Sequence, residues 1–234
     1  MDRRPNGVVK QALPVPWPCD AAAPMDDPSA ANPTAIAPEL VLRDPQAALQ
    51  RLRKQWSGVA ERWVFGYASL LWRPEFEAAE HHSALVRGWH RALRMRSRVN
   101  RGTPQQPGLV FALLPGGACR GVVYRLRPEQ AEAEMERLWA REMPTGVYTP
   151  RLLACRTPQG GVTALAFTLS RRSESCLSRL PDAEMLHILR HASGRYGSTL
   201  DYLAQTAQAL QQQGLRDREI ERLMALARSN GLTL

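Results

Sequence analysis

Apolar and polar positions change their spacing several times along this chain, and each change marks an element. Residues 1–40 show no sustained apolar period. Pro5, Pro14, Pro16, Pro18, Pro24, Pro28, Pro33 and Pro38 interrupt a stretch otherwise rich in Ala, Asp and Asn. Such a segment buries too little apolar surface to offset the entropy of ordering, so a disordered tail is expected. The proline-rich part around 14–18 leaves a partner-binding segment open as an alternative. Asp44 and Pro45 then read as a helix N-cap and its first-turn proline. Leu49, Leu52 and Trp56 follow at i, i+3 and i+7, which predicts an N-terminal helix within residues 41–60 that Gly58 ends. That helix is expected to pack onto one domain spanning 61–234.

The texture changes at Trp63. Residues 63–65 form a short apolar strand, and 66–70 a loop or turn. From Leu93 to Val99 apolar and polar residues alternate as in a strand. Residues 108–114 and 121–126 predict two further strands, with turn chemistry at Pro115, Gly116 and Gly117 between them. Residues 147–156 and 162–170 predict a hairpin around Gly160 and Gly161. Helical periodicity returns at 128–143, again from Pro181 to about 192, at Leu200, Leu203, Ala207 and Leu210, and at Ile220, Leu223, Met224 and Ala227. Strands fill the middle and helices the end, so the fold class is α+β with a mainly antiparallel sheet or barrel.

The helix at 128–143 carries the most information. Ala131, Met135 and Leu138 lie at i, i+4 and i+7, and Glu142 is the next member of the series. Eleven steps of about 100° return the direction to within about 20°. Glu142 therefore points where the buried stripe points, whereas Glu132, Glu134 and Glu136 lie off it and read as solvated. A carboxylate on an inward face near a helix C-terminus meets both desolvation and the negative end of the macrodipole. Both raise its pKa toward the range useful for acid/base work. Periodicity leaves a second reading open, in which the helix frays before Pro144 and Glu142 is exposed or paired with an arginine.

Composition narrows the classes. Hydrophobic residues make up 44% of the 234, enough for one sizeable core. No run approaches the ~18–20 apolar residues of a membrane span, and no apolar segment of a secretory signal follows the basic N-terminus, so a cytoplasmic location is expected. Cys19, Cys119, Cys155 and Cys176 form no C-x-x-C pair and read as reduced thiols. His187 and His191 have metal-binding i, i+4 spacing but no third ligand nearby. The net charge is +9 and only Lys10 and Lys54 are lysine. Arginine suits planar contact with carboxylate or phosphate, and a basic surface concentrates small anions. A nucleic-acid-binding protein is the rival class, since Arg87, Arg91, Arg94, Arg96, Arg98 and Arg101 cluster; the cluster holds only Trp89 for base stacking.

Five segments, taken in order, resemble the ChaC type of γ-glutamylcyclotransferase. Residues 63–72, WVFGYASLLW, are similar to the family's opening strand and loop. Asn100 to Pro104, continuing through Pro107 to Val110, is similar to its RG-x-P…PG-x-V stretch. Residues 119–126, CRGVVYRL, are similar to its C-x-GVAYR strand. Arg141, Glu142 and Met143 with Gly146, Val147 and Tyr148 match the segment that holds the family's catalytic glutamate. Tyr202 matches the tyrosine of a late helix. The resemblance covers about residues 63–210 and implies a small, mainly antiparallel β-barrel with flanking helices. Two positions depart from the family: Ala68 replaces a loop glycine, and Ala133 stands where some members carry a second glutamate.

The resemblance implies cleavage of glutathione to 5-oxoproline and cysteinylglycine. The substrate's own α-amine attacks its γ-carbonyl, with Glu142 as base and then acid. It implies that Tyr67, Ala68, Ser69 and Leu70 grip the γ-glutamyl group through backbone amides, and that Tyr202 contacts substrate or serves only as core. No cofactor, metal, nucleic-acid or membrane partner is expected; glutathione is the expected small-molecule partner. Arg101 and Arg120 are either contacts for the glycyl carboxylate or ordinary surface and strand arginines. Ser69 lacks a nucleophile elbow. Another γ-glutamyl amide as substrate, and a non-catalytic relative, remain open at this point.

Overall fold

The structure, a computed structural model, describes residues 44–233. The predicted tail at 1–40 and Cys19 lie outside those residues. The first helix, α1 (Pro45–Gln55), starts as expected: the Asp44 carboxylate accepts from the Gln46 N–H at 2.8 Å, and Ala48, Leu49 and Leu52 are buried.

Five strands close a barrel in the order β1–β3–β2–β4–β5. They are β1 (Trp63–Gly66), β2 (Ala78–Ser97), β3 (Gly108–Leu126), β4 (Thr149–Thr157) and β5 (Gly160–Thr168). Neighbours pair antiparallel except at the closure, where β5 runs parallel to β1, with Trp63 opposite Ala164, and to β3, with Leu113 opposite Thr168. Every residue of β1 is buried. Trp63 and Phe65 join one cluster with Phe111, Val122, Leu203 and Leu223, while Val64 joins another with Leu165, Phe167 and Leu52. Covering both faces makes β1 an unbroken apolar run rather than an alternating one.

Two strand predictions need correction. The strand expected at 93–99 begins at Ala78, and the two strands expected at 108–114 and 121–126 are one. Pro115, Gly116 and Gly117 do not reverse the chain. Gly88 at φ 79° faces Gly116 and Gly117 at φ 98° and 72°, so the register steps from Trp89–Pro115 to Arg87–Ala118. Positive φ on both strands makes a bulge that bends the pair together. The reversal itself occurs in the loop 98–107.

The helices fall close to expectation: α2 (Ala131–Glu142), α3 (Asp182–His191), α4 (Thr199–Gln212) and α5 (Arg218–Ser229). A two-stranded ribbon that periodicity does not reveal, β6 (Ser193–Gly194) with β7 (Gly197–Ser198), leads into α4. Ser198 and Asp201 form a capping box there. Helices α1 and α2 share a core through Leu49, Leu52, Met135 and Leu138, while α3, α4 and α5 pack on the other cluster. Glu132 and Glu136 pair with Arg53 at the surface, as expected of solvated glutamates. Glu134 does not: its side chain is 3% exposed and pairs with Arg137 at 3.2 Å. It lies three residues after Ala131 and four before Leu138, so it flanks the buried stripe. Among the described residues no helix is long and apolar enough to cross a membrane.

The contact of β1 with β3 allows no side chain at Gly121. A Cβ there would lie 2.3 Å from the Gly66 carbonyl oxygen. Gly121→Ala is therefore expected to cost at least about 1–3 kcal/mol, the usual range for overpacking. Urea denaturation checks this; an unchanged midpoint would contradict the packing described.

Candidate active site

One cleft collects the residues that the sequence singled out. Tyr67, Ala68, Ser69, Leu70, Phe111, Glu142, Tyr148, Phe167 and Tyr202 line one narrow cleft that opens to solvent. They arrive on several elements. The loop leaving β1 supplies Tyr67 and Ala68, and a single 3₁₀ turn supplies Ser69 and Leu70. Glu142 ends α2, Tyr148 precedes β4, and Tyr202 sits on α4. Sequence reasoning did not single out Phe111 or Phe167, whose places follow from strand register. Tyr148 stood in the segment that carries the family glutamate, and that position was the signal for it.

The buried stripe of α2 does what its spacing predicts. Ala131, Met135 and Leu138 anchor the helix, and the Glu142 side chain is 14% exposed. Both open readings of this residue hold in part: it is mostly buried, and it pairs with an arginine, Arg141, at 3.0 Å. Burial pushes its carboxyl above the ordinary value; Arg141 opposes the shift and Glu75 adds to it. Burial also drives the Tyr67 and Tyr148 hydroxyls well above their usual range, with the Glu142 charge contributing to both. Tyr202 is likewise raised, first by burial. All three stay protonated near neutral pH and are available as hydrogen-bond partners.

The loop is fixed from behind. The Arg91 side chain is 1% exposed and donates through Nε to the Tyr67 carbonyl at 2.5 Å. Its other nitrogens hold the Asp217 carboxylate at 2.7 Å and the Arg120 carbonyl. Because a trans peptide sets C=O and the next N–H in opposite directions, the Ala68 N–H turns away from Arg91. The N–H groups of Ala68, Ser69 and Leu70 have no hydrogen-bond partner among the described residues. Ala68 has φ −145°, so this loop conformation does not need the left-handed freedom of glycine. The Tyr67 hydroxyl donates to the Phe167 carbonyl at 2.9 Å, and the Tyr202 hydroxyl accepts from the Phe111 N–H at 3.4 Å.

The remaining candidates separate. The Ser69 hydroxyl accepts from Arg141 at 3.0 Å, and no histidine lines the cleft to activate it. Arg101 is buried, with its guanidinium 5.1 Å from the Tyr202 ring and 5.8 Å from the Trp72 ring. Arg120 lies on β3 with its carbonyl bound to Arg91. His187 and His191 lie side by side on α3 with ring centroids 4.6 Å apart and planes tilted by 41°, away from the cleft lining.

Comparison with known proteins agrees with this architecture. The model of the family described as ChaC-like protein matches residues 62–230. A glutathione-specific γ-glutamylcyclotransferase of Escherichia coli (strain K12) is 38% identical over 156 residues, covering 66% of this chain and 68% of that protein. The human glutathione-specific γ-glutamylcyclotransferase 1 is 28% identical over 92% of this chain and 93% of its own length. A crystal structure of the yeast γ-glutamyl cyclotransferase specific to glutathione covers 72% of this chain and 96% of its own, with TM-score 0.66 and 22% identity, a likeness of fold. With the family model matched from β1 to the end of α5, this chain belongs to the ChaC-like protein family.

Proposed function

We propose that the chain is a γ-glutamylcyclotransferase that converts glutathione to 5-oxoproline and cysteinylglycine. The observation that carries this reading is one mostly buried carboxylate, Glu142, facing a loop whose amides have no partner among the described residues, across a cleft lined with tyrosines. The names of the relatives support glutathione as the substrate.

The chemistry needs few parts. The α-amine of the γ-glutamyl group lies within reach of its own γ-carbonyl, and attack closes a five-membered lactam. Such intramolecular reactions reach effective molarities of ~10⁵ M or more once the chain is held folded. Glu142 accepts the proton that the nitrogen loses as the new C–N bond forms. It then returns a proton to the cysteinyl nitrogen as the old C–N bond breaks. No water is consumed, and the carboxylate ends as it began. A carboxyl raised by burial suits both halves of that task near neutrality. The amides of Ala68, Ser69 and Leu70 are suited to cradling the substrate's α-carboxylate, and Tyr67, Tyr148 and Tyr202 offer hydroxyls to the rest of it. Residues 44–233 hold every group this route uses, and residues 1–40 are assigned no part in it.

Glu142→Gln keeps the shape and removes the base. We expect kcat for glutathione to fall ~10²- to 10⁴-fold, with a much smaller change in KM. A variant with near-parental turnover would sink the assignment. Stability gives a second, signed readout. A carboxyl whose folded pKa is raised contributes stability at low pH that is lost as pH rises through the folded pKa. The Gln variant should therefore match the parent at acid pH and exceed it at neutral pH. Denaturant melts at the two pH values check this. Deletion of residues 1–40 should leave kcat/KM within a few-fold of the parent; collapse of activity with an unchanged circular dichroism spectrum would place part of the site in that segment.

A further inference from the structure

Arg141 makes more contacts than an ion pair with its neighbour requires. Consecutive helix residues point about 100° apart and do not face each other. An Arg141–Glu142 pair at 3.0 Å therefore needs the guanidinium to be turned and held from outside. Four groups hold it, the most distant being the Pro74 carbonyl, which accepts from Nη1 at 3.4 Å. Nη2 donates to the Ser69 hydroxyl at 3.0 Å. Nη1 donates to the Arg73 carbonyl and lies 3.2 Å from the Glu75 carboxylate. Glu75 in turn binds the Arg73 Nε at 2.5 Å. Glu75 is also the only positive-φ residue other than glycine among the described residues, at φ 58°. That conformation is uncommon for a side chain such as glutamate, and here it accompanies a carboxylate set between two arginines.

We propose that Arg141 is a positioning residue that registers the Glu142 carboxylate against the Ser69 loop, and that Glu75 sets how much of the Arg141 charge Glu142 feels. The proposal rests on Glu142 being the base of the reaction. One planar fork spans the carboxylate and the loop expected to grip the substrate, so the base and the binding loop move as a unit. The groups facing Glu142 come from every side of the cleft. Arg141 lies on α2 itself and Glu75 on the segment after the 3₁₀ turn. Tyr67 follows β1, Tyr148 precedes β4 and Tyr202 lies on α4. The tyrosines are neutral near pH 7, so Arg141 and Glu75 are the charges that act. They act in opposite directions: the cation favours the ionised carboxylate and the anion disfavours it.

The test is the pH dependence of kcat/KM for glutathione with the full chain, its Arg141→Met, Arg141→Lys and Glu75→Gln variants. The acid limb of that profile reports ionisation of the free enzyme's base. Removing the cation should move the limb of Arg141→Met to higher pH. Removing the anion should move the limb of Glu75→Gln to lower pH. Arg141→Lys should keep the limb near the parent's while kcat drops about tenfold or more, because an ammonium keeps the charge but cannot hold Ser69, Arg73 and Glu142 together. Added salt should shrink the Glu75 displacement, since that carboxylate is 42% exposed. Partial unfolding lowers the whole profile by one factor and cannot produce shifts of opposite sign. A limb that stays in place, or moves the same way in the Met and Gln variants, overturns the proposal and leaves Glu142 as the base. A parent profile without an acid limb overturns both.

Discussion

Taking a carboxylate out of water costs several kcal/mol unless hydrogen bonds or a counter-charge replace the lost hydration. The cleft is organised around that cost at Glu142. The end of α2 can hold a carboxylate inside only because Ala131, Met135, Leu138 and Trp139 bury the rest of the helix and fix its rotation. Helix α1 backs it with Leu49 and Leu52, and the Trp139 indole donates to the Pro45 carbonyl at 3.0 Å. Arg141 then supplies part of the missing stabilisation. The net result is a carboxyl that remains easier to protonate than one in water, a property of an acid/base group rather than of a structural ion pair.

The opposite wall depends on a second buried charge. Arg91 uses its guanidinium to fix the Tyr67 carbonyl, the Arg120 carbonyl and the Asp217 carboxylate. Asp217 is also the N-cap of α5, accepting from the Glu219 and Ile220 N–H groups. A helix at the end of the chain is thereby tied to the loop after the first strand. The direction in which the loop amides point is a consequence of that tie. The cleft thus has two walls, each set by one arginine: Arg91, fully buried, behind the loop, and Arg141, partly buried, beside Glu142.

Local rules made much of this visible beforehand. Asp44 with Pro45 specifies the start of α1 through chemistry confined to three residues. The i, i+4, i+7, i+11 series specifies the inward aim of Glu142 because a helix repeats regularly. The strands were less legible. Pro115, Gly116 and Gly117 have the composition of a turn, and only the partner strand, with Gly88 opposite, makes them a bulge. Glu134 lies off the strict stripe and so reads as solvated in the sequence, yet a helix face is wide enough to bury its flank. Arg91 sat within an arginine cluster that also suggested nucleic acid. Its inward role needs Tyr67 and Asp217, which are 24 and 126 positions away. Phe111 and Phe167 enter the cleft by barrel register, which no local spacing encodes.

The central claim is that the substrate's own amine, not water, attacks the γ-carbonyl while Glu142 carries the proton. Its most direct test is to incubate the protein with glutathione in water labelled with heavy oxygen and to identify the products by mass spectrometry. Cyclisation predicts 5-oxoproline and cysteinylglycine in equal amounts, with no label in either. Free glutamate carrying the label in its γ-carboxylate would show hydrolysis and contradict the account.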